Sequence, residues 1–205
     1  MPKIVDPIQR RKAVADAVFR VVAEEGVQGA SLRRVAEEAG LAIGSVRHYF
    51  DGHTELLGFA LAELNNRVNL RVEAHLARRD TETRPRPGHF AEQVLAELLP
   101  LDPPRLEEAA VWLAFTATAR SHPALAPIAL ELASGVRWIA HRALTGMAEA
   151  GVLNDTIGDL EHESDRLAAL LDGLALAAVI DPGRRDPDTI RAVLRLHLAS
   201  LVRNG

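Results

Sequence analysis

The chain has 205 residues, enough for one medium domain or for a small head on a larger body. Apolar residues make up 48% and aromatic residues 4%, with Leu, Ala and Val supplying most of them, a helix-leaning set able to bury a core. With no cysteine, disulfides, thiolate catalysis and zinc–thiolate sites are excluded. No apolar run reaches the roughly 18 residues of a membrane span, and the first residues lack the layout of a signal peptide, so a cytoplasmic protein with no membrane partner is expected. The net charge of −4 is unevenly spread. Residues 1–50 hold eight Lys/Arg against six Asp/Glu, and residues 51–205 hold 16 against 22. A slightly basic head on an acidic body points to phosphate contact through the head alone.

The first predicted helix is 8–25, where Ile8, Val14, Ala17, Val18, Val21 and Val22 recur at helical spacing. Pro7 suits its first turn and Gly26 its end. Ser31 reads as the N-cap of a short second helix whose inner face is Leu32, Val35, Ala36 and Ala39, with Gly40 as its stop. A third short helix covers about 42–49, with Val46 and Phe50 buried and Leu41 turned inward. A long helix starts near His53 and runs into the 70s along Leu56, Leu57, Ala60, Leu64 and Val68. The charged, proline-bearing stretch 78–88 reads as a loop. Further helices are expected at about 89–99, 105–121, 124–150, 162–180 and 187–203, separated by proline- and glycine-bearing breaks. No segment alternates with period two, so the prediction is all-α, with about nine helices.

Two short helices meeting at a glycine-bearing turn, with a third behind them, describe a helix-turn-helix. On the second short helix, Leu41, Val46 and Phe50 lock the unit. The other side carries Ile43, Gly44, Ser45, Arg47 and His48. Gly44 and Ser45 allow close approach to a groove, Arg47 can grip a phosphate or a guanine edge, and Ile43 suits a thymine methyl. Tyr49 can donate its hydroxyl to a phosphate, and Ser31, Arg33 and Arg34 suit backbone clamping.

The run SLRRVAEEAGLAIGSVRHYFDGHTELL, residues 31–57, resembles the DNA-binding segment of the TetR family of bacterial repressors. The matching elements are Val35-Ala36, Ala39-Gly40, Gly44-Ser45-Val46, Tyr49-Phe50 and Glu55-Leu56-Leu57. The preceding VVAEEGVQGASL matches as well. Two positions depart from the family pattern. Arg47 stands where the family often has tyrosine, and His53 stands where it usually has lysine, so a phosphate contact there becomes weaker or pH-dependent. Farther on, WLAFTATARSHPAL and LLDGLALAAVIDP are similar to the C-terminal domain of the subgroup that includes choline-responsive regulators.

The resemblance implies a three-helix DNA-binding head at 1–52 and a helical ligand-binding and dimerisation body at 53–205. Its implied partners are double-stranded operator DNA, a small-molecule inducer and a second copy of the chain. In 162–180, Leu167, Leu170, Leu171, Leu174 and Ala178 form one apolar stripe; in 187–203, Ile190, Val193, Leu194, Leu198 and Leu201 form another. The stripes alone fit either a core within one chain or a seam between two, and the resemblance favours the seam. Phe90, Trp112, Phe115, Thr116, Trp138 and His141, with Arg142 beside them, are the candidate ligand contacts, since aromatic walls with a few polar groups suit small apolar or cationic ligands. Plain core packing is the competing reading for each aromatic taken singly.

Glu161, His162 and Asp165 lie on about one helical turn, but acidic residues at a helix start are ordinary and no metal is expected. No nucleophile elbow, phosphate loop or dinucleotide fingerprint is present, so neither a cofactor nor an enzymatic activity is expected. A helical interaction module, or an all-α enzyme, that does not bind DNA is the rival reading.

Overall fold

Helix starts and stops in the computed structural model, which describes residues 7–79, 87–155 and 157–203, follow local capping chemistry. The first helix, α1 (Pro7–Glu25), ends where Gly26 takes a φ of 75° and donates its N–H to the Val22 carbonyl at 3.0 Å. A single 3₁₀ turn, Val27–Gly29, which the sequence pattern did not predict, tucks Val27 into the interior. In α2 (Leu32–Glu38) the Ser31 hydroxyl accepts from the Arg34 N–H at 3.2 Å, so the expected N-cap is in place.

The turn after α2 is a Schellman closure. Gly40 has a φ of 65°; its N–H reaches the Glu37 carbonyl at 3.1 Å, and the Leu41 N–H reaches Ala36 at 2.9 Å. A side chain at position 40 would strain that backbone, which is why glycine stands there. The chain then enters α3 (Ile43–Tyr49), which Phe50 ends in an extended conformation with its ring buried. Next comes α4 (His53–Arg79), where the Glu55 carboxylate accepts from the Asp51 N–H at 2.6 Å beside the positive helix end.

The remaining helices are α5 (Pro87–Ala96), α6 (Pro103–Ala119), α7 (Ala126–Glu149), α8 (Leu160–Ile180) and α9 (Pro187–Leu201). Asp159 and Asp186 cap the last two, accepting from the backbone N–H groups of Glu161 and Thr189 at 2.8 Å each. An isolated antiparallel bridge, Leu153 with Val202, ties the turn after α7 to the end of α9. Among the described residues the fold is helical, with nine α-helices. The expected loop at 78–88 lies mostly on residues outside the described ones.

Two compact units are present: Met1–Asn66 with Ala110–Leu130, and Arg67–Ala109 with Glu131–Gly205. The units divide within α4, between Asn66 and Arg67, so the first half of α4 packs with the head. In the first unit, Val14, Val18 and Val21 of α1 are buried, as are Val35, Val46, Phe50, Leu56 and Leu61. The second unit is built round Leu95, Leu99, Leu144, Met147, Leu167, Leu171, Ile190, Leu194 and Leu198.

Buried charge braces the second unit. Arg71 of α4 reaches Glu108 at 2.7 Å and Glu97 at 3.2 Å, Arg105 reaches Glu97 at 3.1 Å and Asp102 at 2.8 Å, and His75 meets Glu97 at 2.8 Å. Removing one member would strand its partners in a partly dry setting, so this cluster holds the second half of α4 in place.

One expectation is reversed. Leu167, Leu171, Leu174, Ala178, Ile190, Leu194, Leu198 and Leu201, anticipated at a seam between two chains, are buried in the chain's own core, and Leu170 packs partly buried against it. The stripes meet each other and α5, where the nearly buried Glu92 carboxylate accepts from Arg195 of α9 at 2.7 Å. Two adjacent amphipathic helices bury their strongest stripes together first, because that apolar area leaves water within a single chain. The opposite faces of α8 and α9 expose Leu176 (46%), Ile180 (73%) and Leu196 (74%).

Candidate functional site

Seven residues of α3 divide cleanly. Val46 is buried, Ser45 and Tyr49 are half-covered, and Ile43, Gly44, Arg47 and His48 are exposed. Space around Gly44 is open, with nothing within 4 Å of where a Cβ would stand. Arg47 forms no ion pair or hydrogen bond with a described residue, and His48 meets Tyr49 edge to face at 5.4 Å. Phe50 anchors the end of the helix against Phe59 at 5.2 Å. The Arg11 guanidinium lies over the Phe59 ring at 4.9 Å and near Phe50 at 5.9 Å, a cation–π clamp from α1 that the apolar pattern of α1 gave no reason to expect.

The two arginines of α2 differ. Arg33 is almost fully exposed and pairs with Glu37 at 3.0 Å, a one-turn surface pair that a phosphate can displace. Arg34 is a strut: it reaches Glu25 at 2.7 Å and Glu38 at 3.0 Å, while Arg20 reaches Glu38 at 2.7 Å. Hydrogen bonds from Arg20 and then Arg34 hold the Glu38 carboxyl below the usual carboxylate range. This network joins α1 to α2, so the Arg34 guanidinium is already engaged within the head. Ser31 spends its hydroxyl oxygen as the cap acceptor and keeps its proton to donate.

His53 turns its Nε2 inward, where the atom is enclosed without a hydrogen-bond partner. With Val27, Gln28, Thr54, Leu57, Thr118 and His122 it lines a cavity of about 150 Å³ in the first unit. In this geometry Nε2 offers no donor to an outside phosphate.

The second unit contains a cavity of about 290 Å³ that includes Phe90 and Trp138 of the anticipated ligand set. Val72 and Leu76 of α4, Val94 of α5, and Ile139, Arg142, Ala143, Met147 and Glu149 of α7 complete much of its wall. Trp138 is 60% exposed. The other anticipated residues lie elsewhere. Phe115 is fully buried in the first unit, and Thr116 bonds back to the Trp112 carbonyl at 2.9 Å. Trp112, Phe115 and Thr116 share a helical face, but from Ala110 onward α6 belongs to the first unit. His141 turns toward α8, its Nδ1 3.2 Å from the Ser164 hydroxyl. The α4 and α5 lining residues were missed because their apolar spacing is that of any core helix.

Glu161 and Asp165 pair with Arg137, and His162 pairs with Asp159 at 3.0 Å. Among the described residues no group of three His, Cys, Asp or Glu could hold a metal ion. No described helix is long and apolar enough to cross a membrane.

Comparison with known proteins agrees with both halves of this geometry. Residues 15–58 match the family described as bacterial regulatory proteins, tetR family, and residues 87–203 match the BetI-type transcriptional repressor C-terminal domain. The HTH-type transcriptional regulator PksA of Bacillus subtilis is 38% identical over 202 residues, covering 98% of this chain and 94% of that protein. A transcriptional regulator from Rhodococcus sp. Rha1 superposes with a TM-score of 0.76 at 31% identity, covering 93% of this chain and 95% of that one. A transcriptional regulator from Saccharomonospora viridis, solved in complex with choline, shares the fold with a TM-score of 0.80 at 19% identity, covering 96% of this chain and all of that one. With a matching domain over more than half its length and a relative similar from end to end, the chain belongs to the TetR family of transcriptional repressors, with a DNA-binding helix-turn-helix head and a BetI-type ligand-binding C-terminal domain.

Proposed function

We propose that the protein is a one-component repressor that binds a near-palindromic operator as a homodimer and is released by a small-molecule inducer. The observation that carries this reading is the outward face of α3, where Arg47 has no partner among the described residues while Arg33 and Arg34 on α2 are paired. Two copies of α3 enter successive major grooves about 34–36 Å apart. Arg47 and His48 meet base edges or phosphate, Ile43 meets a thymine methyl, and Gly44 with Ser45 sets the approach distance. Arg33, the Ser31 hydroxyl and Tyr49 hold the backbone. Arg34 supports the head instead of gripping DNA, and His53 gives no outward Nε2 donor. The functional division is a DNA-binding head at 1–52 and a ligand and dimer body at 53–205, acting in the cytoplasm on operator DNA and without a catalytic step.

The second copy docks on the outer faces of α8 and α9. Leu176, Ile180 and Leu196 are the apolar groups left exposed there, and self-complementary packing of two such faces makes a four-helix seam. The inducer occupies the cavity lined by Phe90 and Trp138. Because α4 starts at the head and lines that cavity with Val72 and Leu76, a shift of α4 is the route between ligand and DNA. The ligand must bind the released state more tightly, or the equilibrium does not move.

Fluorescence anisotropy of labelled DNA from the chain's own upstream region, titrated across salt concentrations, tests the reading. Affinity falling steeply and log-linearly with salt is expected. Absence of binding even at low salt overturns it.

A further inference from the structure

We propose that the cavity in the second unit takes an amphipathic carboxylate: an apolar body along the helices and an anionic end against Arg142. The inference rests on that cavity being the inducer site proposed above.

The walls are apolar. Leu76, Phe90, Val94, Ile139 and Met147 enclose about 290 Å³, near the lower end of the roughly 300–1,000 Å³ typical of small-molecule sites. A fully polar ligand would lose its hydration along those walls and recover few hydrogen bonds.

The charge of the ligand follows from how arginine is used in this unit. On helices α5 to α9, Arg105, Arg137, Arg166, Arg191 and Arg195 each have a carboxylate within 4 Å. Arg142 lines the cavity and pairs with no described residue. A guanidinium offers two parallel donors matched to a carboxylate, a geometry that a lone ammonium or a water cannot fill as well.

Glu149 lines the same cavity seven residues along α7, two turns and about 10 Å from Arg142 along the helix axis. The two charges are too far apart to neutralise each other, and they give the cavity a direction. A ligand carboxylate is drawn to Arg142 and repelled from Glu149. A cationic ligand fits less well. The aromatic lining is Phe90 and Trp138, and Trp138 sits one turn before Arg142 on the same face of α7, so a cation stacked on that ring meets the like charge of Arg142.

Trp138 reports occupancy directly. In a Trp112→Phe background it is the sole tryptophan of the chain. Decanoate, decanol and decyltrimethylammonium share one tail and differ in head charge. Decanoate is expected to shift Trp138 emission saturably and to release operator DNA. Arg142→Gln is expected to weaken decanoate about 10- to 100-fold, the weight of a hydrogen bond to a charged group. Arg142→Lys keeps the charge but loses the paired donors, so its decanoate affinity falls between wild type and Arg142→Gln; Glu149→Gln tightens decanoate by about two- to threefold, and decanol binds weakly and equally to wild type and Arg142→Gln. Tighter binding of decyltrimethylammonium than of decanoate, or an unchanged decanoate affinity in Arg142→Gln, overturns the carboxylate class while leaving the cavity as the ligand site. No Trp138 response to any of the three probes overturns the cavity reading along with it.

Discussion

Helices α3 and α9 are both amphipathic, yet their informative residues lie on opposite sides. On α3 the apolar side, Val46, locks the head, and the polar side, Arg47 and His48, is left without a carboxylate partner in the described chain. On α9 the strong apolar stripe is consumed by the core, and the residues left over are leucine, not charge: Leu194 is 0% exposed and Leu196, two positions on, is 74% exposed. Whatever a helix does not spend on its own chain is what it offers to a partner. For α3 that remainder is cationic and suits phosphate and base edges; for α9 it is apolar and suits a second protein surface.

Leu194→Ala tests the inward half of α9 and carries the largest expected effect, about 2–5 kcal/mol of stability lost in urea denaturation. A loss below about 1 kcal/mol would mean that the stripe is not core. The outward half is tested by Ile180→Glu with Leu196→Glu. Light scattering should give a monomer, with dimerisation weakened by about 2 kcal/mol or more, while the helical circular dichroism is retained. An unchanged dimer would move the seam away from this face.

On α3, Arg47→Ala should cost about 1–3 kcal/mol of operator affinity. A loss confined to one operator sequence marks a base contact; a uniform loss with a shallower salt slope marks a phosphate contact. Ser31→Ala should cost about 1 kcal/mol of stability through the lost cap of α2, read from thermal unfolding. The smallest effect is in pH. Burial pushes the His197 imidazole of α9 below its usual range. The unfolded chain therefore takes up this proton first, so its contribution is intact at neutral pH and is lost as pH falls below about 6.5. His197→Gln should flatten that part of the melting-temperature profile; an unchanged profile would place the acid sensitivity on other groups.

Residues 26–50 were legible because their determinants are local. Gly26, Ser31 and Gly40 act on backbone groups within five residues, so stop, cap and turn can be read from spacing alone. The division of α3 into a buried Val46 and an exposed Arg47 follows from helical period for the same reason. The sequence thus determined an all-α chain, the helix-turn-helix and the outward set on α3. Tertiary packing alone decided the rest. Arg34 looked free for DNA until Glu25, nine residues away, closed on it. Trp112 and Phe115 looked like companions of Trp138 until α6, from Ala110 onward, joined the first unit. The leucines of α8 and α9 announced a covered face, but a stripe records only that water is excluded. Whether the cover is another helix of the same chain or a second molecule depends on contacts far apart in sequence, and those exist only once the chain has folded.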